Sequence, residues 1–434
     1  MMCVEWSRLK VCCAACVCAC SLWSVPGRAA VPMPEPNNAA LVYYQAFLMC
    51  PEPPECPLAE PVEFKPPRMP SAKELRPPQV PPITTECALE QVERGGEPDE
   101  LVRDYLEWCR GAILLAQKAA QMPTCDWGIC YLEEGSTRGI YRQPAGLLAR
   151  VLCADAYVLA ADGETREAIE RCLAAGKIAE HTYGKGYLSY ASAANITRRV
   201  QKCLIHVLGF VSADAETVAS LRSRLTPLLE LPRSAVPASI TDFELALQAV
   251  RRDGKTLAEV RQSLAEATPN IPEQGHREFT DEALLARLRE PYMEFLESAH
   301  RIMASEKPYN ETRAEMETLI GELERTVTSD PVASRVEQSL RQWERLMRWA
   351  ERVSVLYRLQ TLTTARLSAL EAALAVYRIE AQAGQLPETL PGGLPADPFS
   401  GEDFEYQVTD EGFSLRCRVL PPEGPIHFDF KMAR

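Results

Sequence analysis

Apolar residues recur at three- and four-residue steps along most of the chain, the period of a helix with one buried face. Leu367, Leu370, Leu374 and Tyr377 form such a stripe, Gly384 supplies a C-cap, and Pro387 cannot continue the helix. The period then changes to two. Phe404, Tyr406 and Val408 alternate with polar residues, as do Phe413, Leu415, Cys417 and Val419, and then Ile426, Phe428 and Phe430. Thr409-Asp410-Glu411-Gly412, between the first two runs, has hairpin turn chemistry.

Upstream, the same reading predicts helices over 37–49, 99–121, 144–161, 165–181, 188–207, 213–229, 242–250, 257–267 and 311–326, and over 281–304 with Pro291 kinking or ending it. Leu41, Tyr44 and Leu48 fall on one side of the first. Leu101, Tyr105, Leu106, Cys109, Ile113 and Leu114 are expected inside on the second. Asp330 and Pro331 suit an N-cap and a first helical residue. No breaker follows until 383, although Thr361, Thr363 and Thr364 mark a bend; about fifty helical residues would run about 75 Å. The expected fold is mainly α. It is an irregular helical bundle or α-solenoid-like domain with a small C-terminal antiparallel β-sheet packed on a long helix, an α+β tail.

Composition divides the chain. Residues 1–29 read as a secretory signal: Arg8 and Lys10 precede an apolar run from Val11 to Trp23, too short to span a bilayer, and Gly27-Arg28-Ala29 fits a cleavage site. A lipoprotein signal with Cys20 as the lipidated residue is the alternative. Residues 30–97 hold the first helix and a proline-dense linker over 50–82. Residues 98–330 form the helical domain, and 331–434 the long helix and hairpin module. The alanine-rich pair around Asp162-Gly163-Glu164 looks like a tetratricopeptide-type hairpin, but no 34-residue period repeats.

The tail from YRIEAQAGQLPETL through LPADPFSG to the hairpin resembles the globular head of the type II secretion major pseudopilin, over about 60 residues. With NNAALVYYQAF (37–47) and CDWG (125–128), the chain resembles more widely a group of exported helical proteins of planctomycete-type bacteria. The first resemblance implies an envelope location and a helix-plus-sheet module; the second carries no activity. The acidic, glycine-rich calcium loop that often follows a pseudopilin hairpin has no counterpart beyond Asp429.

A net charge of −13 argues against general nucleic-acid binding and against an anionic membrane surface. Six of the sixteen cysteines lie in the signal, leaving ten, an even count that suits disulfides in an exported chain. Cys50 with Cys56 and Cys125 with Cys130 are the local candidates, whereas Cys153, Cys172 and Cys203 read as buried thiols in helix faces. No zinc frame surrounds Cys125 and Cys130. Trp127, beside two cysteines, reads as a plug between helices.

No HExxH frame, phosphate loop or motif-borne nucleophile occurs, and no cofactor is expected. His206 reads as a core histidine, and His181 as a helix-end residue whose charge would suit the dipole. Arg341, Arg345, Arg348 and Arg352 share a helical face near Trp343 and Trp349. Interleaved Glu344 and Glu351 favour a solvated face over an anion-docking one. Asp397 and Ser400 suit a turn, and Asp397 and Phe399 are also candidate interaction residues.

The expected function is non-catalytic: an exported periplasmic or envelope scaffold that binds protein partners, with no transmembrane span in the mature chain. An accessory factor of a type II secretion or pilus-like apparatus is the second reading. An enzyme with a site assembled from distant helices is the third; a deep pocket with convergent ionisable groups would favour it, and a broad concave apolar groove the first.

Overall fold

The structure is a computed structural model. It describes residues 37–51, 88–93, 96–128, 140–184, 186–210, 236–253, 280–305, 307–334, 349–418 and 426–432, with shorter pieces at 221, 223–224, 257–259, 261–262 and 337. The signal segment, nearly all of the proline-dense linker, Cys56, Cys130, Arg341, Arg345 and Arg348 lie outside the described residues, as does the side chain of Arg352. So do most of the helices expected over 213–229 and 257–267. Asn38–Arg434 forms one compact unit.

Among the described residues the fold is mainly helical, with a small three-stranded antiparallel sheet near the C-terminus. The described helices are α1 Ala39–Met49, α2 Ala88–Glu93, α3 Glu100–Trp108, α4 Arg110–Ala120, α5 Arg142–Ala161, α6 Thr165–Thr182, α7 Tyr187–Leu208, α8 Val236–Asp253, α9 Asp281–Met303, α10 Tyr309–Ser329 and α11 Trp349–Ala383. The strands are β1 Glu405–Thr409, β2 Gly412–Arg416 and β3 His427–Lys431.

The centre is α5 packed on α6 and α7. Small side chains allow the close approach: Ala145, Ala149, Ala154, Ala156 and Ala160 of α5 and Ala168, Ala174, Ala175 and Ala179 of α6 are all buried. Leu148, Leu152, Ile178 and Leu204 fill the space between them. Helix α5 has the length and apolar character of a membrane span, but 61% of that stretch is buried inside the fold. Helix α2 is tied across this core by Glu93, which accepts from Arg150 Nε at 2.9 Å and Arg199 Nε at 2.8 Å.

The expected helix over 99–121 is divided at Cys109 into α3 and α4, although i→i−4 bonds continue across the junction. Tyr105, Leu106, Cys109 and Ile113 point inward as expected, but Leu114 is 58% exposed. Pro291 does not end α9, which runs through it to Met303. Asp330 caps as expected: its Oδ1 accepts from the amides of Val332 at 2.8 Å and Ala333 at 3.2 Å. Helix α11 runs unbroken past the three threonines, whose hydroxyls each donate to the carbonyl four residues back. Gly384 closes it in the left-handed region, φ +69°, with its amide on the Glu380 carbonyl.

The sheet order is β1-β2-β3, with Thr409 opposite Gly412 across the Asp410-Glu411 turn. A side chain on Gly412 would run into the Phe430 carbonyl, so the close strand approach requires glycine. Phe413, Leu415, Phe428 and Phe430 make the inner face, while Val408 on the edge strand is 48% exposed, contrary to the alternation expected there. The sheet sits on α7 and α11. Tyr377 Oη donates to the Lys431 carbonyl at 2.7 Å, and its ring meets Phe413 edge-on with centroids 5.6 Å apart.

Candidate functional site

Asn38 begins the candidate site. Its side chain caps α1 by accepting from Ala40 N at 3.1 Å. The same oxygen accepts from Asp126 N at 2.8 Å, and its Nδ2 donates to the Asp126 carbonyl at 2.6 Å. With the Ala39 amide on the Thr124 carbonyl, these bonds clamp the CDWG loop against the start of α1. The two segments singled out in the sequence are therefore brought together. An asparagine cap explains why: its amide carries the acceptor on Oδ1 and the donor on Nδ2, so both the Asp126 amide and its carbonyl are met by one side chain.

Trp127 stacks on Tyr141 with centroids 4.4 Å apart, and on Tyr43 at 5.6 Å; its indole N–H donates to the His181 carbonyl at 2.6 Å. The expectation that Trp127 fills a gap between helices agrees with this geometry. Beneath it, Tyr43 Oη lies 3.1 Å from His181 Nδ1. The other ring nitrogen, Nε2, is buried without a hydrogen-bond partner of ordinary geometry. Burial, more than the nearby Lys177, pushes His181 down to about 4. This corrects the expectation of a charged helix-end histidine, because 93% of the side chain's exposure is removed and the imidazolium would lose its hydration. His206 is also pushed down, mainly by burial, and packs on the edge of Tyr157.

A depressed histidine pKa makes stability depend on pH. The unfolded chain takes up a proton near 6.5 that the folded chain refuses until about 4, so stability is full above 6.5 and falls as pH drops through that window. Between pH 7.5 and 5 the His181 contribution to this loss is about 2 kcal/mol. Urea titrations at the two pH values should therefore show a smaller pH effect for His181→Gln by about that amount. Equal pH effects in the two proteins would refute the assignment.

The side of α1 that carries Leu41 and Leu48 faces outward. Ala39, Ala40, Tyr43 and Ala46 are buried, whereas Leu41 is 42%, Leu48 79% and Met49 52% exposed. Small residues on α1 meet Ala112, Ala116 and Ala119 of α4, and this close approach turns the leucines outward. Tyr44 and Phe47 are half-buried at the same surface, with Tyr44 edge-on to Trp127 at 5.6 Å. Met49 lies over Gly111 of α4, and Leu114 and the 70% exposed Trp108 belong to the same α3–α4 segment. The result is an apolar helix face flanked by aromatic rings.

The other candidates are placed differently. Asp397 and Phe399 are fully buried, so the structure corrects their assignment as surface interaction residues. The carboxylate organises a turn, accepting from Phe399 N at 3.0 Å, Ser400 Oγ at 2.9 Å and Arg418 N at 3.1 Å. Carbonyls of Pro398 and Phe399 accept the first amides of α10, which fastens this turn to the helices. Cys50 Sγ lies 4.0 Å from Cys109 Sγ, and Cys125 is a half-buried thiol that burial pushes up to about 12.

Cys172 and Cys203 are buried thiols as expected, with sulfurs 3.3 Å apart. Among the described residues no group of three His, Cys, Asp or Glu side chains is placed to hold a metal ion. An open depression of about 740 Å³ beside α8 and α9 is lined by Val236, Pro237, Ile240, Glu297, His300 and Arg301. Glu297 and His300 are one helical turn apart there, without a nucleophile among the lining residues. No family model, curated protein or solved structure matches the chain.

Proposed function

We propose that the protein is a non-catalytic, exported scaffold that holds a protein partner in the cell envelope on the outer face of α1. The observation that carries this reading is the exposed stripe of Leu41, Leu48 and Met49 beside Tyr44 and Trp127. Contiguous apolar surface rimmed by aromatic side chains is the usual composition of a protein-binding patch. The Asn38 clamp supports it from behind by fixing the helix and the loop together. Export rests on the residues of the first 29 positions.

The test is a photo-crosslinking amino acid at Gln45, which is exposed on α1, with a control at Glu294 on α9. A discrete protein adduct is expected in the native cell from position 45 and not from 294. Leu41→Glu with Leu48→Glu should abolish the adduct while leaving unfolding free energy within about 0.5 kcal/mol, since both side chains are on the surface. No adduct at 45, or one that survives the double substitution, refutes the reading.

The second reading, an accessory factor of a type II secretion or pilus-like apparatus, draws on the helix, DPFSG turn and antiparallel strands of the tail. It rests on likeness of architecture. Identification of the adduct as a pseudopilin or secretion-platform protein would support it; an unrelated envelope protein would leave only the general scaffold.

A further inference from the structure

Spacing along the chain paired Cys50 with Cys56, but the fold offers Cys50 a distant partner. Cys50 forms the C-terminal cap of α1, and Cys109 sits at the junction of α3 and α4, 59 positions later. Their sulfurs are 4.0 Å apart. The surroundings hold them there: Tyr105 Oη donates to the Pro51 carbonyl at 2.9 Å and lies 3.9 Å from Cys50 Sγ. A disulfide requires about 2.05 Å between sulfurs, so closure needs an approach of about 2 Å, within reach of side-chain rotation and a small shift of the helix end.

The two thiols are unequal in access. Cys50 is half-buried, whereas Cys109 has no exposed surface. We infer that Cys50 and Cys109 are a disulfide-forming pair, with Cys50 as the attacking sulfur and Cys109 as the resolving one, oxidised by exchange with a disulfide-bearing partner. In the first step Cys50 thiolate forms a bond to one sulfur of the oxidant. The oxidant's S–S bond breaks, and its other sulfur leaves as a thiolate that takes up the proton lost by Cys50.

In the second step Cys109 loses its proton and attacks Cys50 Sγ. The mixed disulfide breaks, and the oxidant's remaining sulfur departs and takes that proton. Two protein thiols are oxidised by two electrons, and one disulfide is reduced to two thiols. The electrostatics suit this division. The hydrogen bond from Cys109 outweighs burial and holds Cys50 below the usual thiol value, while the same contact and burial push Cys109 up.

The other close pair, Cys172 and Cys203, has shorter separation but no exposed surface on either residue. An oxidant of any size is excluded from it in the folded chain, so it serves as an internal comparison. The inference does not depend on α1 binding a partner or on where the chain resides, because the oxidant is supplied in the test.

The folded full chain is incubated with glutathione disulfide, quenched with N-ethylmaleimide, and digested without reduction. The expected product is a Cys50–Cys109 linked peptide, with Cys172 and Cys203 not joined, and a Tm higher by about 2–5 °C than that of the reduced chain. Cys50→Ser, at a half-buried position, is expected to fold and to lose both the linked peptide and the Tm shift. Linkage of Cys50 to Cys56 or Cys87, or a glutathione adduct on Cys50 that Cys109 never resolves, overturns the assignment. A chain that keeps both residues alkylated after oxidation does so too.

Discussion

Phe413→Ala should lower the unfolding free energy by about 3–5 kcal/mol. Phe413 is 1% exposed and stacks on Phe430 with centroids 5.1 Å apart. It also meets Tyr377 of α11 and Tyr406 of β1. Truncation would remove the ring that joins all three strands to the long helix, leaving a cavity that backbone pairing cannot close. The measurement is a urea titration followed by helical circular dichroism. Because Lys431 packs against Gly209, the C-cap of α7, and accepts from Tyr377 through its carbonyl, the loss should appear as a shift of the main helical transition. A helical transition unchanged from the parent would show instead that the sheet melts by itself.

Leu152→Ala should cost about 2–5 kcal/mol. Leu152 is fully buried on α5, among alanines that have little freedom to shift inward. In an interface built from small side chains, one large residue supplies much of the local packing volume, and its removal leaves a void rather than a collapse. Chemical denaturation of the variant tests this. A loss below about 1 kcal/mol would mean that α5 can move toward α6 and α7 to close the void.

The surface substitutions on α1 are expected to behave in the opposite way. Leu48 is larger and more apolar than Ala46, yet its loss should matter little for stability and greatly for binding. Hydrophobicity alone does not rank these positions. What ranks them is whether a neighbouring helix comes close, and that depends on the small residues of α4.

The pattern of the sequence determined a good deal by itself. The helical hairpin of α5 and α6, the Asp330 cap, the Gly384 terminus and the hairpin turn before Gly412 all agree with local reading, because caps and turns are satisfied by residues a few positions apart. The mainly α class and the small sheet follow from the change of period from 3.6 to 2. Segments 37–47 and 125–128 were also recognisable as unusual, but nothing in either indicates that Asn38 joins them.

Tertiary structure alone decided the rest. Helix α1 is apolar apart from Gln45, so its period only weakly chooses between burying Leu41 with Leu48 and burying Tyr43 with Ala46; contact with the alanines of α4 chooses the latter. Asp397 reads as a surface turn residue until the α10 terminus closes over it. Cys50 finds its partner 59 positions away because two helices meet there, and sequence separation carries no record of that meeting. His181 would be an ordinary helix-end cation if exposed, and becomes a neutral buried imidazole because the packed core, with Tyr43 against its ring, excludes water from it. Local order follows from short-range sterics and hydrogen bonds, which the order of residues specifies directly. Charge state, thiol partner and the outward face of a helix depend on which surfaces exclude water, and only the assembled packing determines that.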